Sequence, residues 1–402
     1  MRSKYFIMKT INDFDFKGKK ALVRVDFNVP LNEQLQVTDA TRIEAVKPTL
    51  QKILDEGGSC VLMSHFGRPK NRETEFSLKN IVNKVSEVLG KEIKFVDDCM
   101  GEKAEKAAQD LKPGEILLLE NVRYYAEETS GDADFAEKLS RLGDIYVNDA
   151  FGAAHRAHAS TTVVAKFFEG KKCFGKLMEA ELKSIDRVLN DSKRPVTAII
   201  GGAKVSSKIT IIENILDKIN HLIIGGGMSF TFIKALGGKV GNSLVEEEFL
   251  TTALNILAKA KEKQVQVHLP VDAVIADSFS ETAQTAQSAV SNIPDGWMGL
   301  DTGEKTNAIF AQVIGLSNTV LWNGPVGVFE MKPFAAGTIS LGNAIAQATQ
   351  NGTFSLVGGG DSVAAVKQFG FQDKVSYVST GGGAMLEALE GKTLPGVAAI
   401  LN

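Results

Sequence analysis

Short apolar segments rich in β-branched residues alternate with segments of helical apolar spacing along almost the whole chain. A clear example is Val196–Ile200, which leads through two glycines into apolar residues at Ile209 and Ile212. A short, fully apolar run is typical of a strand buried in a parallel sheet, and the spacing after it is typical of an amphipathic helix. Repeated alternation of strand and helix restricts the chain to a parallel sheet covered by helices. The sequence therefore predicts an α/β fold.

The alternation occurs as two series separated by a different kind of segment. Gly175–Asn190 has helical apolar spacing with charges between, and Ser192–Pro195 then breaks the pattern. A chain of 402 residues is long enough for two or three domains. We therefore predict an N-terminal lobe (1–174), a connecting helix (175–191) and a C-terminal lobe (192–390).

Polar and charged side chains are found close to the ends of the predicted strands in the first series. The ends of parallel strands meet at one edge of the sheet, where ligands of open α/β folds bind. Guanidinium groups pair well with phosphate and carboxylate, and Asp and Asn suit hydroxyl groups. These residues favour a pocket for a small, highly charged anion, although each arginine alone could be a surface residue and the histidine could be an ordinary loop residue. They are Arg24, Asp26, Asn28, Arg42, His65, Arg68, Arg123 and Arg156.

Glycine runs follow the predicted strands of the second series, at Gly225–Gly227, Gly358–Gly360 and Gly381–Gly383. Glycine lets a ligand approach the backbone closely, so the runs favour a nucleotide cradle; tight turns required by packing are the alternative. The third glycine of a dinucleotide fingerprint is replaced by Phe230, Val363 and Leu386 in the three runs. None continues into the Gly-Lys-Ser/Thr of a P-loop, so any nucleotide site is of another kind.

Two further features of the second series could serve phosphate. Gly201–Lys208 joins a strand to a helical segment, where backbone N–H groups and the lysines Lys204 and Lys208 would attract an anion; an ordinary turn with solvated lysines is the alternative. Asp361 is a hard oxygen ligand suited to Mg²⁺, or else a helix cap. Glu330 could accept ribose hydroxyls, which spacing alone does not decide.

Composition excludes several classes of protein. The net charge is −3, so nothing drives the chain in bulk toward nucleic acid or an anionic membrane. The cysteines Cys60, Cys99 and Cys173 are far apart without metal spacing, as in a reducing compartment. No apolar run approaches the roughly 18 residues of a membrane span, and Met1–Met8 lacks the apolar core of a signal peptide. We expect a cytoplasmic protein.

Ten motifs, taken in order, make the chain resemble the phosphoglycerate kinases from Met8 to its end. RVDFNVP and WNGPVGVFE are each specific, and the shared order leaves little room for chance. The motifs are Arg24–Pro30, Ser64–Pro69, Glu120–Arg123, Asn148–His158, Gly201–Ser206, Gly225–Phe230, Met298–Gly303, Trp322–Glu330, Gly358–Ser362 and Ser379–Ala384.

The resemblance implies two Rossmann-like lobes, each a parallel β-sheet flanked by helices, joined by a long interlobe helix. It implies that 391–402 return to the first lobe. It implies Mg²⁺-dependent, reversible transfer of a phosphoryl group between 1,3-bisphosphoglycerate with ADP and 3-phosphoglycerate with ATP, in glycolysis and gluconeogenesis. In-line transfer after hinge closure by a monomer, without nucleic-acid or membrane partners, is the expected mode of action.

The matching motifs also imply roles for individual residues. Triose phosphate binding is implied for Asp26, Asn28, Arg42, His65, Arg68, Arg123 and Arg156. Nucleotide binding is implied for Gly201, Lys208, Gly299, Asn323, Glu330, Gly359, Gly360, Asp361 and Ser362, with Asp361 as the Mg²⁺ ligand. The catalytic group implied around the transferring phosphoryl is Arg42, Lys204, Lys208, Gly381 and Gly382.

Two departures from the family are small. Arg2–Ile7 precede the usual beginning near Met8, so translation could start at Met1 or Met8, and Glu304 stands where many members have proline. Two other functions stay open on the residues alone. A nicotinamide-dependent dehydrogenase is disfavoured by the missing fingerprint. A non-catalytic nucleotide-binding protein is disfavoured because every charged motif position is present.

Overall fold

A computed structural model describes residues 8–402 of the chain. The choice between Met1 and Met8 as the start concerns Arg2–Ile7, which lie outside the described residues. The chain divides into two compact units. The first contains the chain up to Lys183 together with Thr393–Asn402, and the second is Ser184–Lys392.

The first unit is built on a six-stranded parallel sheet with the strand order β3-β4-β2-β1-β5-β6. Its strands are β1 (Lys20–Val25), β2 (Ser59–Met63), β3 (Ile93–Val96), β4 (Ile116–Leu119), β5 (Ile145–Asp149) and β6 (Lys172–Phe174). Its helices are α1 (Thr41–Asp55), α2 (Val82–Leu89), α3 (Gly101–Gln109), α4 (Ala126–Ser130), α5 (Ala133–Ser140) and the first part of α6 (Lys176–Leu189). The central strands are buried at every residue except Lys20, which begins β1, as expected for a parallel sheet covered by helices on both faces.

The second unit holds another six-stranded parallel sheet, with the order β10-β8-β7-β15-β16-β17. The strands of this unit are β7 (Val196–Ile200), β8 (His221–Ile224), β9 (Lys239–Val240), β10 (Gln266–His268), β11 (Asp272–Ala276), β12 (Thr285–Ala289), β13 (Asn292–Ile293), β14 (Met298–Thr302), β15 (Thr319–Asn323), β16 (Phe354–Val357) and β17 (Tyr377–Val378). Its helices are α7 (Ile209–Ile215), α8 (Met228–Ala235), α9 (Leu250–Glu262), α10 (Glu304–Gly315), α11 (Ala336–Gln350), α12 (Gly360–Gln368) and α13 (Gly382–Leu389). The predicted α/β class with two parallel sheets flanked by helices is confirmed.

The C-terminal helix α14 (Pro395–Leu401) belongs to the first unit. The Gly396 N–H donates to the carbonyl of Ala154 at 2.9 Å, and the Asn148 amide donates to the carbonyl of Gly396 at 3.2 Å. The end of the chain is therefore anchored beside β5. Within residues 8–402, no helix combines the length and apolar character that a bilayer crossing requires.

The sequence has an apolar run on each side of Pro270, Val265–Leu269 and Val271–Ala276, and predicts that the two runs form a strand pair. The structure shows that this pairing is wrong. Of the two apolar runs there, β10 pairs in parallel with β8 in the main sheet. Its neighbour β11 instead forms a separate antiparallel sheet with β12 and β14. Proline lacks a backbone donor and restricts the residue before it, so it marks the point where the chain leaves one sheet for the other.

The segment that joins β7 to α7 is longer than a tight turn. The helix starts at Ile209, the first of the residues with helical apolar spacing, and Lys208 is at its N-cap position. Gly202 has a φ of +106°, a conformation that glycine adopts without strain. The segment between β7 and α7 is therefore an irregular loop rather than a direct strand-to-helix turn.

Candidate functional site

In the first unit, the charged residues follow four neighbouring strands, β4, β2, β1 and β5. Asp26 lies immediately after β1, and its carboxylate forms an ion pair with the Arg42 guanidinium, with 3.1 Å between Oδ2 and Nη1. The same guanidinium donates to the carbonyl of Asn28 at 3.0 Å, while the Asn28 side chain accepts from the N–H of Gly67 at 2.8 Å. These bonds join the loops after β1 and β2 to the start of α1.

His65 is buried, and its Nδ1 lies 3.2 Å from Nη2 of Arg24. Because a guanidinium only donates, Nδ1 is the acceptor, and the proton of the neutral ring is on Nε2. Burial, together with Arg24, Arg123 and Arg42, lowers the pKa of His65 to about 3 in spite of Asp26. The imidazole is therefore neutral at physiological pH and offers an N–H donor rather than a charge.

Arg24 is completely buried, so it supports the site from beneath and does not face a ligand. Its Nε donates to the Ser160 hydroxyl at 2.8 Å, and that hydroxyl donates to the Glu128 carboxylate at 2.7 Å. Glu128 is also completely buried, so the charge of Arg24 is balanced through a hydrogen-bonded chain. Arginine in a strand interior gave no sign of this role.

Arg68, Arg123 and Arg156 line one cavity of about 590 Å³. Arg123 donates to the carbonyl of Gly67 at 2.8 Å, but its buried Nε has no hydrogen-bond partner. Burial, followed by the repulsion of Arg24, lowers the pKa of Arg123. A buried guanidinium with a free donor among other cations is costly unless an anion binds, so the cavity is suited to phosphate or carboxylate.

The same cavity is lined by residues that sequence reasoning did not single out, namely Pro69, Lys70, Tyr124, Tyr125, Ala126, Thr129 and His158. His158 belongs to the motif Asn148–His158, which was a signal that could have revealed it. Burial and the nearby arginines lower its pKa to about 4, so it too is neutral at physiological pH. Asp26, Asn28, Arg42 and His65 do not line this cavity but connect to it through Gly67.

The Asp26 carboxylate is ionised in this setting. Burial alone would raise the pKa of Asp26, but the positive charges that face it, on His65 when protonated and on Arg42 and Arg24 always, bring the pKa below its ordinary value. The carboxylate is therefore held in its charged form opposite the Arg42 guanidinium. The site combines one fixed acceptor with several cations.

In the second unit, a cavity of about 700 Å³ opens among the strand ends and is lined by apolar and glycine residues. Gly299, Glu330 and Asp361, all predicted for the nucleotide, line it, and so do Gly202 and Gly227. A Cβ on Gly299 would collide with the ring of Phe230, so only glycine leaves this wall open. The further lining residues include Phe230, Leu244, Phe279, Leu300, Val326 and Met331.

Lys208, Asn323 and the glycine run before α12 are connected beside this cavity. The Lys208 ammonium donates to the Asn323 side chain at 2.6 Å, and the Asn323 amide donates to the carbonyl of Gly358 at 2.7 Å. The Ser362 hydroxyl accepts from the N–H of Gly324 at 2.5 Å. Burial lowers the pKa of Lys208, although Asp361 and Glu390 oppose this.

Gly381 and Gly382 lie against the start of α12. A Cβ on Gly382 would come within 3.2 Å of Gly359 Cα, so the two glycine runs are in close backbone contact. Gly359 itself has a φ of +96°, and a Cβ there would collide with the Asn323 amide. The predicted nucleotide residues Gly359–Ser362 and the predicted catalytic glycines are therefore brought together within this unit.

Gly201 and Gly202 do not present free N–H groups to a ligand. Gly201 donates to the carbonyl of Asn323 at 2.9 Å, and Gly202 donates to that of Pro325 at 3.0 Å. A Cβ on Gly201 would collide with the carbonyl of Pro325. Of the two lysines of this loop, Lys204 is exposed and Lys208 half-buried. The glycines hold the loop against the loop after β15, so their own N–H groups are already engaged, and the role of Gly201 in nucleotide binding stays a prediction.

No group of three or more His, Cys, Asp or Glu side chains forms a metal site within residues 8–402. Asp361, in the first turn of α12, lines the cavity of about 700 Å³ in the second unit. Mg²⁺ needs only one or two carboxylates when substrate phosphates complete its coordination. The single carboxylate of Asp361 fits that kind of site.

Comparison with known proteins identifies the family of the chain. The family model described as phosphoglycerate kinase matches residues 11–392. The chain belongs to the phosphoglycerate kinase family. It is 54% identical to the phosphoglycerate kinase of Porphyromonas gingivalis, over 97% of this chain and 99% of that one. It is 50% identical to the cytosolic phosphoglycerate kinase of Triticum aestivum, over 97% of each chain.

Solved structures of phosphoglycerate kinases are also similar to this chain. That of the Coxiella burnetii enzyme has a TM-score of 0.89 at 38% identity, covering 98% of both chains. That of the Pyrococcus horikoshii OT3 enzyme has a TM-score of 0.83 at 28% identity, again covering 98% of both chains. The family predicted from the motifs is confirmed.

Proposed function

We propose that this chain transfers a phosphoryl group reversibly between 1,3-bisphosphoglycerate with ADP and 3-phosphoglycerate with ATP. The family match across residues 11–392 carries the proposal. The geometry supports it, because one unit has a cationic cavity for a small anion and the other has an apolar cavity with glycine runs for a nucleotide. The proposed localisation is cytoplasmic, and the proposed oligomeric state is a monomer.

The triose phosphate would occupy the cationic site of the first unit. Arg68, Arg123 and Arg156 would bind its phosphate, since Arg123 keeps a buried donor unpaired. Asp26, Asn28 and the Nε2–H of neutral His65 would orient its hydroxyl and carboxyl groups. A small ligand with a charge at each end would thus be held in one direction.

The nucleotide would occupy the cavity of the second unit. Its base would lie against the apolar wall near Gly299, and Glu330 would accept from the ribose hydroxyls. The phosphates would meet the start of α12, where the first N–H groups of a helix attract anions. Lys208, Asn323 and Gly359–Ser362 surround that point, and Asp361 would hold Mg²⁺, which neutralises phosphate charge when bound.

No general base is required for this chemistry. In the ATP-consuming direction the acceptor is a carboxylate that is already ionised at neutral pH. Rate enhancement would come from positioning and from neutralising the phosphoryl oxygens. Arg42 and Lys204 would supply positive charge. The backbone N–H groups of Gly381 and Gly382 would donate to the same oxygens, that of Gly381 in place of its present 3.3 Å hydrogen bond to the Ser379 hydroxyl.

The two ligands would be bound by separate units, so in-line transfer requires the carboxylate oxygen of one ligand to reach the terminal phosphorus of the other, opposite the bridging oxygen that leaves with ADP. We infer that a hinge motion brings this about and excludes water at the same time. Small-angle scattering should record compaction when 3-phosphoglycerate and Mg-ATP are both present. An unchanged radius of gyration in that mixture would contradict the proposed hinge closure.

The direct test is a steady-state assay of ADP formation from ATP, Mg²⁺ and 3-phosphoglycerate. Turnover should require all three components. ATP binding without turnover would favour the non-catalytic nucleotide-binding alternative. Hydride transfer from a nicotinamide cofactor would favour the dehydrogenase.

A further inference from the structure

Arg72 joins three loops at the rim of the cationic cavity without lining the cavity itself. Its Nη2 donates to the Tyr125 hydroxyl at 2.6 Å and lies 3.4 Å from the Asp98 carboxylate. Its guanidinium carbon is 5.1 Å from the centre of the Tyr125 ring and 5.7 Å from that of Tyr124. An arginine that both stacks on aromatic faces and donates in its plane is held in one orientation.

The hydrogen bonds of this group run in one direction. Tyr125 donates its hydroxyl proton to Asp98 at 2.7 Å and accepts from Arg72 on the same oxygen. Burial and then Asp98 raise the pKa of Tyr125 far above its ordinary value, so the hydroxyl stays protonated and keeps this role. Arg72, Tyr125 and Asp98 therefore form a closed triangle, which we call the Arg72 clamp.

The loop that carries Arg72 also carries Arg68, and the clamp closes its far end. Next to Arg72, the Glu73 carbonyl accepts from the Tyr124 hydroxyl at 2.6 Å. The Glu73 carboxylate accepts from the N–H groups of Lys70 and Asn71 at 3.2 and 2.9 Å, which folds the loop back on itself.

The near end of the same loop is fixed at Gly67. Its N–H donates to Asn28 and its carbonyl accepts from Arg123, each at 2.8 Å. Arg68 is thus placed between two anchored points. The residues after Arg123, Tyr124 and Tyr125, are the partners of Arg72, so the clamp connects the loops of both arginines.

We propose that Arg72 is a positioning residue for the triose phosphate: by clamping Tyr125 and Asp98 it fixes the loops that carry Arg68 and Arg123 in their ligand-binding arrangement. This rests on the proposed function, which supplies the ligand. Arg72 contacts neither substrate and acts through the other two arginines. Without the clamp, the loops that carry Arg68 and Arg123 are less ordered, and ligand binding must restore their order at a cost in affinity. The nucleotide site is not affected.

The test compares Arg72→Ala and Arg72→Lys with Arg141→Ala. Arg141 is a similarly exposed arginine of the same unit, which pairs with Glu137 at 3.1 Å and does not line the cavity. Arg72→Ala should raise the KM and the calorimetric Kd for 3-phosphoglycerate about tenfold, with kcat and the KM for ATP within about twofold. Arg72→Lys should not rescue, because an ammonium lacks the planar fork. Arg141→Ala should match the wild type.

Tyr125→Phe removes the shared hydroxyl and keeps the ring. If Arg72 acts through it, the double variant Arg72→Ala/Tyr125→Phe should be little worse than Arg72→Ala alone. Unchanged 3-phosphoglycerate binding in Arg72→Ala, fully additive effects, or an equal rise in the KM for ATP would each overturn the proposal. If the wild type showed no turnover, the proposed function would be overturned instead. The role of Arg72 would still be decided by calorimetry, which compares the binding of 3-phosphoglycerate to the wild type and to Arg72→Ala.

Discussion

In each unit, the candidate site lies where the strands of the parallel sheet have their carboxyl ends. The two sites are formed by different chemical groups. In the first unit, charged side chains form the candidate site, and buried partners such as Arg24 and Glu128 support them. In the second unit, glycine runs and an apolar wall form the site, and few charges are present. One fold thus offers two ways to hold a phosphate-bearing ligand.

The difference follows from the ligands proposed for each site. A triose phosphate is small and charged at both ends, so guanidinium forks can grip nearly all of it. A nucleotide has an apolar base and a long phosphate chain, so it needs apolar area and close backbone approach. Substitutions should therefore affect the first site through charge and the second through shape.

The largest effect should come from Arg42, which lies at the start of α1 and pairs with Asp26. Arg42→Ala should lower kcat about 1,000-fold, because its charge is lost from the transferring phosphoryl group, while nucleotide affinity stays nearly constant. Arg42→Lys should recover part of the rate, since it keeps the charge. Stopped-flow turnover and calorimetric ATP binding are the measurements. Near-normal turnover in Arg42→Ala would remove it from catalysis.

Asp361 should give the next largest effect, and only on the nucleotide side. Asp361→Ala should lower kcat/KM for Mg-ATP about 100-fold by weakening the hold on the metal. Affinity for 3-phosphoglycerate, measured by calorimetry without nucleotide, should not change. The Mg²⁺ concentration needed for half-maximal rate should rise. An unchanged Mg²⁺ dependence would show that the metal is held elsewhere.

His65 should make the first unit sensitive to acid. Its pKa of about 3 lies below the ordinary value, so the unfolded chain takes up the proton first as pH falls. The resulting stability is fully present above about pH 6.5 and is lost as pH falls below it, by about 2 kcal/mol at pH 5. His65→Asn cannot titrate, so its unfolding free energy should fall less between pH 7 and pH 5. Parallel profiles for both proteins in urea unfolding would contradict this burial effect.

Gly359 should show the dependence of the second site on shape. Gly359→Ala forces a side chain to a φ of +96° and against Asn323, and it should raise the KM for ATP about tenfold. Gly352→Ala is the matched control, because Gly352 has a φ of +99° but nothing within 4 Å of an added Cβ. Both variants should lose stability, and only the first should lose nucleotide affinity. If Gly359→Ala and Gly352→Ala had equal KM values for ATP, Gly359 would have no part in nucleotide binding.

The sequence predicts the strand ends well because a buried parallel strand needs a continuous apolar run. Asp26, His65 and Arg123 follow such runs. Because the carboxyl ends of parallel strands meet at one edge of a sheet, the sequence predicts that these three residues lie near that edge. The conformation of Gly201–Lys208 could not be predicted, because hydrogen bonds to the distant loop after β15 determine it. The antiparallel sheet of β11, β12 and β14 was equally hidden, since β12 is exposed and lacks an apolar run.

The sequence also did not predict roles that depend on burial or on contacts between distant segments. Arg24 reads as one more ligand arginine, yet it is completely buried and bonded to Ser160 and His65. Arg72 reads as a surface residue, yet it bridges Tyr125 and Asp98, which are 27 residues apart in the chain. Contacts between distant segments, rather than local pattern, decide these roles.

The central claim is that the chain moves the terminal phosphoryl group of ATP to the carboxylate of 3-phosphoglycerate. Trapping with hydroxylamine tests it directly, because an acyl phosphate reacts to give a hydroxamate. The account predicts hydroxamate formation that requires the protein, ATP, Mg²⁺ and 3-phosphoglycerate together and that falls about 1,000-fold with Arg42→Ala. ATP consumption without hydroxamate, or no consumption by the folded protein, would contradict it.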